Sequence, residues 1–144
     1  MRHQQLIILL MVVLLSSCSI APEAIVYGSD GCHFCKMTIV DKIHGAEIVT
    51  DKGKVYKFDA IECMVNFDKE IDAGEKAMYL VNHYESPEEL INAQEAIFLI
   101  SKRIPSPMGA FLTAFKKEES AMEIIDENEG KLYVWEVLVK HLNE

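Results

Sequence analysis

The chain has 144 residues, 50% of them apolar and 26% charged, with 14 Lys and Arg against 23 Asp and Glu for a formal charge of −9. So acidic a chain excludes a phosphate-backbone reader and a surface that holds anionic lipid by its own charge; no nucleic acid partner is expected. The length allows one compact domain or two very small ones.

Arg2 precedes an unbroken apolar run, "LIILLMVVLL" from Leu6 to Leu15, and then "SSCS". A helix of that run spans about 15 Å, roughly half a bilayer core, which fits a signal-peptide core and not a membrane span. "LSSC", Leu15 to Cys18, resembles a bacterial lipoprotein cleavage box, with the cut before Cys18 and the lipid on its sulfur. Residues 1–17 then form a lipoprotein signal peptide and 18–30 a lipidated tether, "SIAPEAIV" (19–26) having no core of its own. The mature chain is expected to be lipid-anchored to a bacterial membrane, facing the periplasm or the cell exterior. Cleavage removes one arginine and no acid, taking the charge to −10.

Gly28 and Gly31 mark irregular backbone around the loop "GCHFCKM", residues 31–37. "TIVDKIHGAEIVT" (38–50) and "KVYKF" (54–58) read as strands joined through Asp51–Gly53, with Gly53 in the left-handed position of a hairpin loop. Tyr56 and Phe58 fall on one face, Val55 and Lys57 on the other. A helix follows, capped by Asp59 with Glu62 completing a capping box. Ala60, Cys63, Met64, Phe67 and Ile71 form its inward stripe. "AMYLVNHY" (77–84) is a further strand. Ser86 opens a second helix, with Pro87 at its first position and Glu89 at its third. "AIFLIS" (96–101) is a buried strand, "RIPSPMG" (103–109) a rigid loop, and "MEIIDENEGKLYVW" (122–135) leads to an apolar-striped terminal helix.

The segments "GKVYKFDAIECM" (53–64) and "GKLYVWEVLVKH" (130–141) share a pattern of Gly, Lys, aliphatic, Tyr, any residue, aromatic, acid and two apolar residues entering a helix. This predicts an α+β chain with an internal duplication of a small strand–strand–helix unit. Lys140 stands where the first copy has Cys63.

The cysteines carry the chemistry. With Cys18 lipidated, Cys32, Cys35 and Cys63 remain, an odd set in a compartment that oxidises idle thiols. A Cys32–Cys35 bridge beside an inert Cys63 is one solution; a protected, reactive or metal-loaded set is the other. Met37 follows the CxxC, Met64 follows Cys63, and Met108 lies between Pro107 and Gly109, while Met78 and Met122 read as core filler. Burial on the helix stripe accounts for Met64 as well as ligation does. Thiolate and thioether together form a soft set that favours Cu(I). Zinc remains open through a Cys3His set with His33, although that residue reads more readily as a solvent-facing or thiol-tuning neighbour. Cys63 near a helix N-terminus is placed to become a thiolate. A c-type haem would need histidine where Lys36 stands, and the CxxC lacks the strand-before, helix-after setting of a thioredoxin-like centre.

"CHFCKM" (32–37), "KFDAIECM" (57–64) and "SPMG" (106–109), behind a lipoprotein signal, together resemble the NosL family, the lipoprotein accessory factors of nitrous oxide reductase. The likeness runs from about residue 30 to the end. It implies a fold of two related small ββαβ-like halves, 31–85 and 86–144, similar to a part of organomercurial lyase. It also implies a membrane-anchored chaperone that binds one Cu(I) and passes it by ligand exchange toward apo nitrous oxide reductase, with an ABC-type maturation complex as partner. Cys32, Cys35 and Met37 match the family's N-terminal sulfur motif, Met108 its Pro-Met-Gly loop, and Cys63 with Met64 a pair seen in some members. The family usually has glycine where Lys36 stands. No hydrolytic triad or phosphate loop is present, so no enzyme is expected. The rivals are a thiol–disulfide exchange protein using Cys32 and Cys35, and a zinc-stabilised interaction module.

Overall fold

The computed structural model describes residues 20–72, 76–125 and 129–144. In chain order the elements are β1 (Ala46–Thr50), β2 (Val55–Phe58), α1 (Ile61–Asp68), β3 (Lys76–His83), β4 (Ser86–Asn92), β5 (Ile97–Ile100), β6 (Leu112–Phe115), α2 (Glu118–Ile124), β7 (Lys131–Val134) and α3 (Trp135–Leu142). They make two antiparallel sheets, ordered β2-β1-β3-β4 and β6-β5-β7. In each, the first strand lies between the next two, and a helix joins the second to the third. β1-β2-α1-β3 and β5-β6-α2-β7 are therefore the two ββαβ units. The Gly-Lys-aliphatic-Tyr match pairs β2–α1 with β7–α3, which are not equivalent places in them. What the match records is a local strand-to-helix step that occurs in both halves.

The hairpin between β1 and β2 forms as the sequence predicts. Gly53 has φ +77, its N–H donates to Thr50 O at 3.0 Å, and the register sets Tyr56 opposite Ile48 and Phe58 opposite Ala46. Those residues face a core that also takes Phe98 and Leu112 from the second sheet and Leu138 from α3. Each such side chain, fully buried, contributes about 1.5–3 kcal/mol. The halves are also tied by polar contacts: Tyr84 N–H donates to Ala114 O at 2.9 Å, and His44 Nε2 lies 3.0 Å from Thr113 Oγ1.

Four expectations are corrected. Residues 38–45 are not strand beyond a single bridge from Thr38 to Gly31. Instead Asp41 Oδ1 accepts the N–H groups of Ile43 and His44 at 2.9 and 3.1 Å, an Asx turn that swings the chain into β1. The segment from Ser86 is β4, not a helix: Leu90 pairs with Asn82 and Ile91 with Val81, after an irregularity in which Glu88 has φ +71. Its helix-start residues are followed by only two adjacent apolar residues, with no 3.6-residue stripe, and the edge of β3 offers pairing. The approach segment is not free of the core, since Ile25 is buried in it and Lys57 Nζ donates to Ala24 O at 2.8 Å. Met122 is exposed rather than buried. Cys18 and the signal segment lie outside the described residues. No helix among the described residues is long and apolar enough to cross a membrane.

Candidate metal centre

The loop that carries Cys32 and Cys35 is a tight reversal. Cys32 N–H donates to Met37 O at 2.8 Å, Lys36 N–H to Cys32 O at 3.1 Å, and Ile39 N–H to Asp30 O at 2.9 Å. Lys36 closes the turn at φ +66, a conformation that glycine adopts freely and a side chain resists. His33 fastens the loop to β2. Its N–H donates to Lys57 O at 2.9 Å, and its Nδ1 lies 3.0 Å from Lys57 N and 3.2 Å from Lys57 O. Its ring meets Tyr56 edge-on, with centroids 5.1 Å apart. His33 is therefore a half-buried structural peg.

β2 then runs through Asp59 and Ala60 into α1, whose third residue is Cys63. The sulfurs of Cys32, Cys35 and Cys63 all lie within 4.8 Å of one another, and no histidine or carboxylate among the described residues joins them. None of the three is in a disulfide; Cys32 and Cys63 are buried and Cys35 is partly exposed.

The electrostatics reverse one sequence expectation. The surroundings lower the pKa of Cys32, not that of Cys63. The Cys63 S–H donates to Cys32, and, against the cost of burial, the N–H groups of Asp59, Cys35 and Phe34 add to this, so the Cys32 pKa is lowered to about 4. Cys63, as donor to Cys32 and buried beside its charge, is pushed up. Its own N–H is occupied by Ala60 O at 3.1 Å. Burial likewise raises Cys35, with the N–H of Met37 acting the other way. Asp59 does not cap α1: the cap position is Ala60, with no side-chain hydrogen bond, and Asp59 is buried with Oδ1 unpartnered. Burial and then the Cys32 charge raise its pKa.

The methionines separate into three environments. Met64 is fully buried in the main core. Met37 is half-exposed on the cysteine loop, near exposed Phe34 and Val40. Met108 is 42% exposed on the loop between β5 and β6. That loop is fixed by Gly109, at φ +79, whose N–H donates to Ser106 O at 3.0 Å. It is also bound to α1: Ser106 Oγ donates to Glu62 Oε1 at 2.7 Å and Ala110 N–H to the same oxygen at 3.3 Å. Glu62, expected to close a capping box, thus reaches a loop 44 residues on. Local spacing carries no sign of that partner.

The fold thus brings the three cysteines together, docks the Met108 loop on the residue before Cys63, and sends Met64 into the core. Such a cluster suits a soft, low-coordinate metal ion better than zinc, which takes four ligands from cysteine, histidine or carboxylate. It also suits thiol exchange poorly, because the attacking group must be both thiolate and accessible. Here the thiol with the lowered pKa is buried and the accessible thiol is pushed up.

The family model described as NosL matches residues 24–142. Among solved structures, the crystal structure of the copper chaperone NosL from Shewanella denitrificans is similar, with a TM-score of 0.70 and 25% sequence identity, covering 82% of this chain and 95% of that one. No curated protein matches the chain.

Proposed function

This chain belongs to the NosL family, and we propose that it is an extracytoplasmic chaperone that carries one Cu(I) as cargo and hands it on by ligand exchange. The cysteine cluster carries the reading: three cysteines free of disulfides with their sulfurs within 4.8 Å, the pKa of Cys32 lowered by its neighbours. Soft sulfur ligands favour Cu(I), and the similar solved structure is that of a copper chaperone. Loading the cluster takes the protons from Cys35 and Cys63, so binding releases protons and weakens in acid. Cys35, the partly exposed thiol, is the point of entry and exit. Met108 on its anchored loop supplies a thioether, exposed Met37 meets the incoming partner, and Met64 packs the core.

A partner's ligands then invade the partly open side of the site, and the ion moves without being released to water. The resemblance names that client as apo nitrous oxide reductase, served with an ABC-type maturation complex, and the lipid on Cys18 as the anchor at the membrane. A Cu(I) titration of the reduced protein under anoxic conditions, against a competing Cu(I) chelator and with zinc in parallel, tests the reading. Tight one-to-one Cu(I) binding with weak zinc binding is expected. Absence of competitive Cu(I) binding overturns the proposal. Mixing the loaded protein with apo nitrous oxide reductase tests the client, and copper that stays on the chaperone refutes it.

A further inference from the structure

Glu62 stands beside the cysteine cluster and has no part in the ligand set. It is buried in the first turn of α1, immediately before Cys63. Its Oε1 accepts from Ser106 Oγ at 2.7 Å and from Ala110 N–H at 3.3 Å, while Oε2 is buried without a partner. The two donors lie two residues to either side of Met108. A buried carboxyl group is a costly way to fasten a loop, and one that leaves an oxygen unpaired is costlier. Directly after Ala110, Phe111 is held at φ +56, a left-handed conformation that an aromatic side chain resists. Its carbonyl is fixed by Ser101 N–H at 3.0 Å. The loop is therefore drawn onto α1 against its local backbone preference.

We propose that Glu62 is a positioning residue for the cargo site: by holding the loop on both sides of Met108, it presents the thioether at the cysteine cluster and so sets how tightly Cu(I) is held. This rests on the reading of Met108 as a ligand given above. With the anchor made, the thioether is preorganised and its binding requires no ordering of the loop. With the anchor broken, the loop from Ser106 to Ala110 is no longer tied to α1, Met108 withdraws, and the ion is left to the cysteines alone.

The test is a double-mutant cycle on the reduced protein, using Cu(I) itself as the probe. Affinity is read by chelator competition, the number of sulfur ligands by copper X-ray absorption, and folding by circular dichroism. Loss of two hydrogen bonds to a buried acceptor should make Glu62→Ala bind Cu(I) about tenfold more weakly or worse, with one fewer sulfur neighbour. Met108→Leu should do the same, and the double variant should be no weaker than Met108→Leu alone. Glu62→Gln, whose amide oxygen still accepts both bonds, should restore binding and the sulfur count. If Glu62→Ala does not fold, Ser106→Ala takes its place in the cycle.

Additive losses would overturn the proposal, because Glu62 would then be acting through Cys63 and not through Met108. An unchanged affinity and spectrum in Glu62→Ala would overturn it as well. If Met108→Leu binds as the wild type does, the positioning role falls while the cysteine-based copper reading stands. If the wild type binds no Cu(I), the chaperone reading itself falls.

Discussion

Replacing Glu47 by glutamine is expected to stabilise the protein in alkali and leave it unchanged in acid. Glu47, the second residue of β1, is at 0% exposure, and neither carboxylate oxygen has a side-chain hydrogen-bond partner. Burial raises its pKa from an ordinary 4.5 to about 7. The Lys57 ammonium and then the Glu23 N–H pull the other way, but Lys57 is already bonded at 2.8 Å to both Asp30 Oδ2 and Ala24 O, and the Glu23 and Asp30 carboxylates push the pKa up further. Between those two values the folded protein keeps a proton that the unfolded chain has released. Stability from this group therefore falls as pH rises through the window from 4.5 to about 7 and is level above it. At ~1.4 kcal/mol per pH unit, that gap amounts to ~3 kcal/mol.

Glutamine has the shape of the protonated acid and cannot ionise. Glu47→Gln should match the wild type below about pH 5 and exceed it by ~3 kcal/mol at about pH 8. Urea unfolding of the reduced, metal-free protein at both pH values measures this, with the slope m expected to stay constant so that the midpoint alone moves. An offset that is the same at both pH values, or a variant less stable than the wild type at high pH, would mean that Lys57 compensates the carboxylate and that the burial argument is wrong.

Three further substitutions probe the site. Lys36→Gly relieves the left-handed conformation and should stabilise the fold by ~0.5–1 kcal/mol after the added freedom of the unfolded chain; a lower melting temperature would contradict this. Cys63→Ala removes the donor that lowers the Cys32 pKa, which should climb from about 4 toward the ordinary thiol range. Thiolate ultraviolet absorbance against pH reads this directly, and an unmoved transition would show that the backbone amides suffice. Met64→Leu conserves volume in the core, so it should cost less than ~1.5 kcal/mol and leave Cu(I) affinity unchanged. A loss of affinity there would return Met64 to the ligand set.

Much of the first unit was legible because its signals are local. Gly53 fits the hairpin loop, and the alternation along β2 put Tyr56 and Phe58 on the core face, as the pairing with Ile48 and Ala46 shows. The helix stripe placed Cys63 and Met64 on a buried face of α1. Local rules misled where a distant partner had the stronger claim. Ser86, Pro87 and Glu89 carry helix-start chemistry, yet β3 draws the segment into a strand through Leu90 and Ile91. Asp59 and Glu62 have capping-box spacing, yet neither caps: Asp59 is buried beside Cys32, and Glu62 binds a loop from the other half.

The sequence by itself determined the chemical character of the site, because ligand softness belongs to residue types: three cysteines, and methionines at Met37, Met64 and Met108. Only the tertiary structure decided which sulfurs meet, which thiol is made more acidic by its neighbours and what holds the Met108 loop. Those properties come from angstrom-scale contacts between Cys32 and Cys63, and between Glu62 and Ser106, pairs brought together only when the core closes. A hydrogen bond acts at about 3 Å regardless of separation along the chain, so no local pattern in the sequence could have announced it.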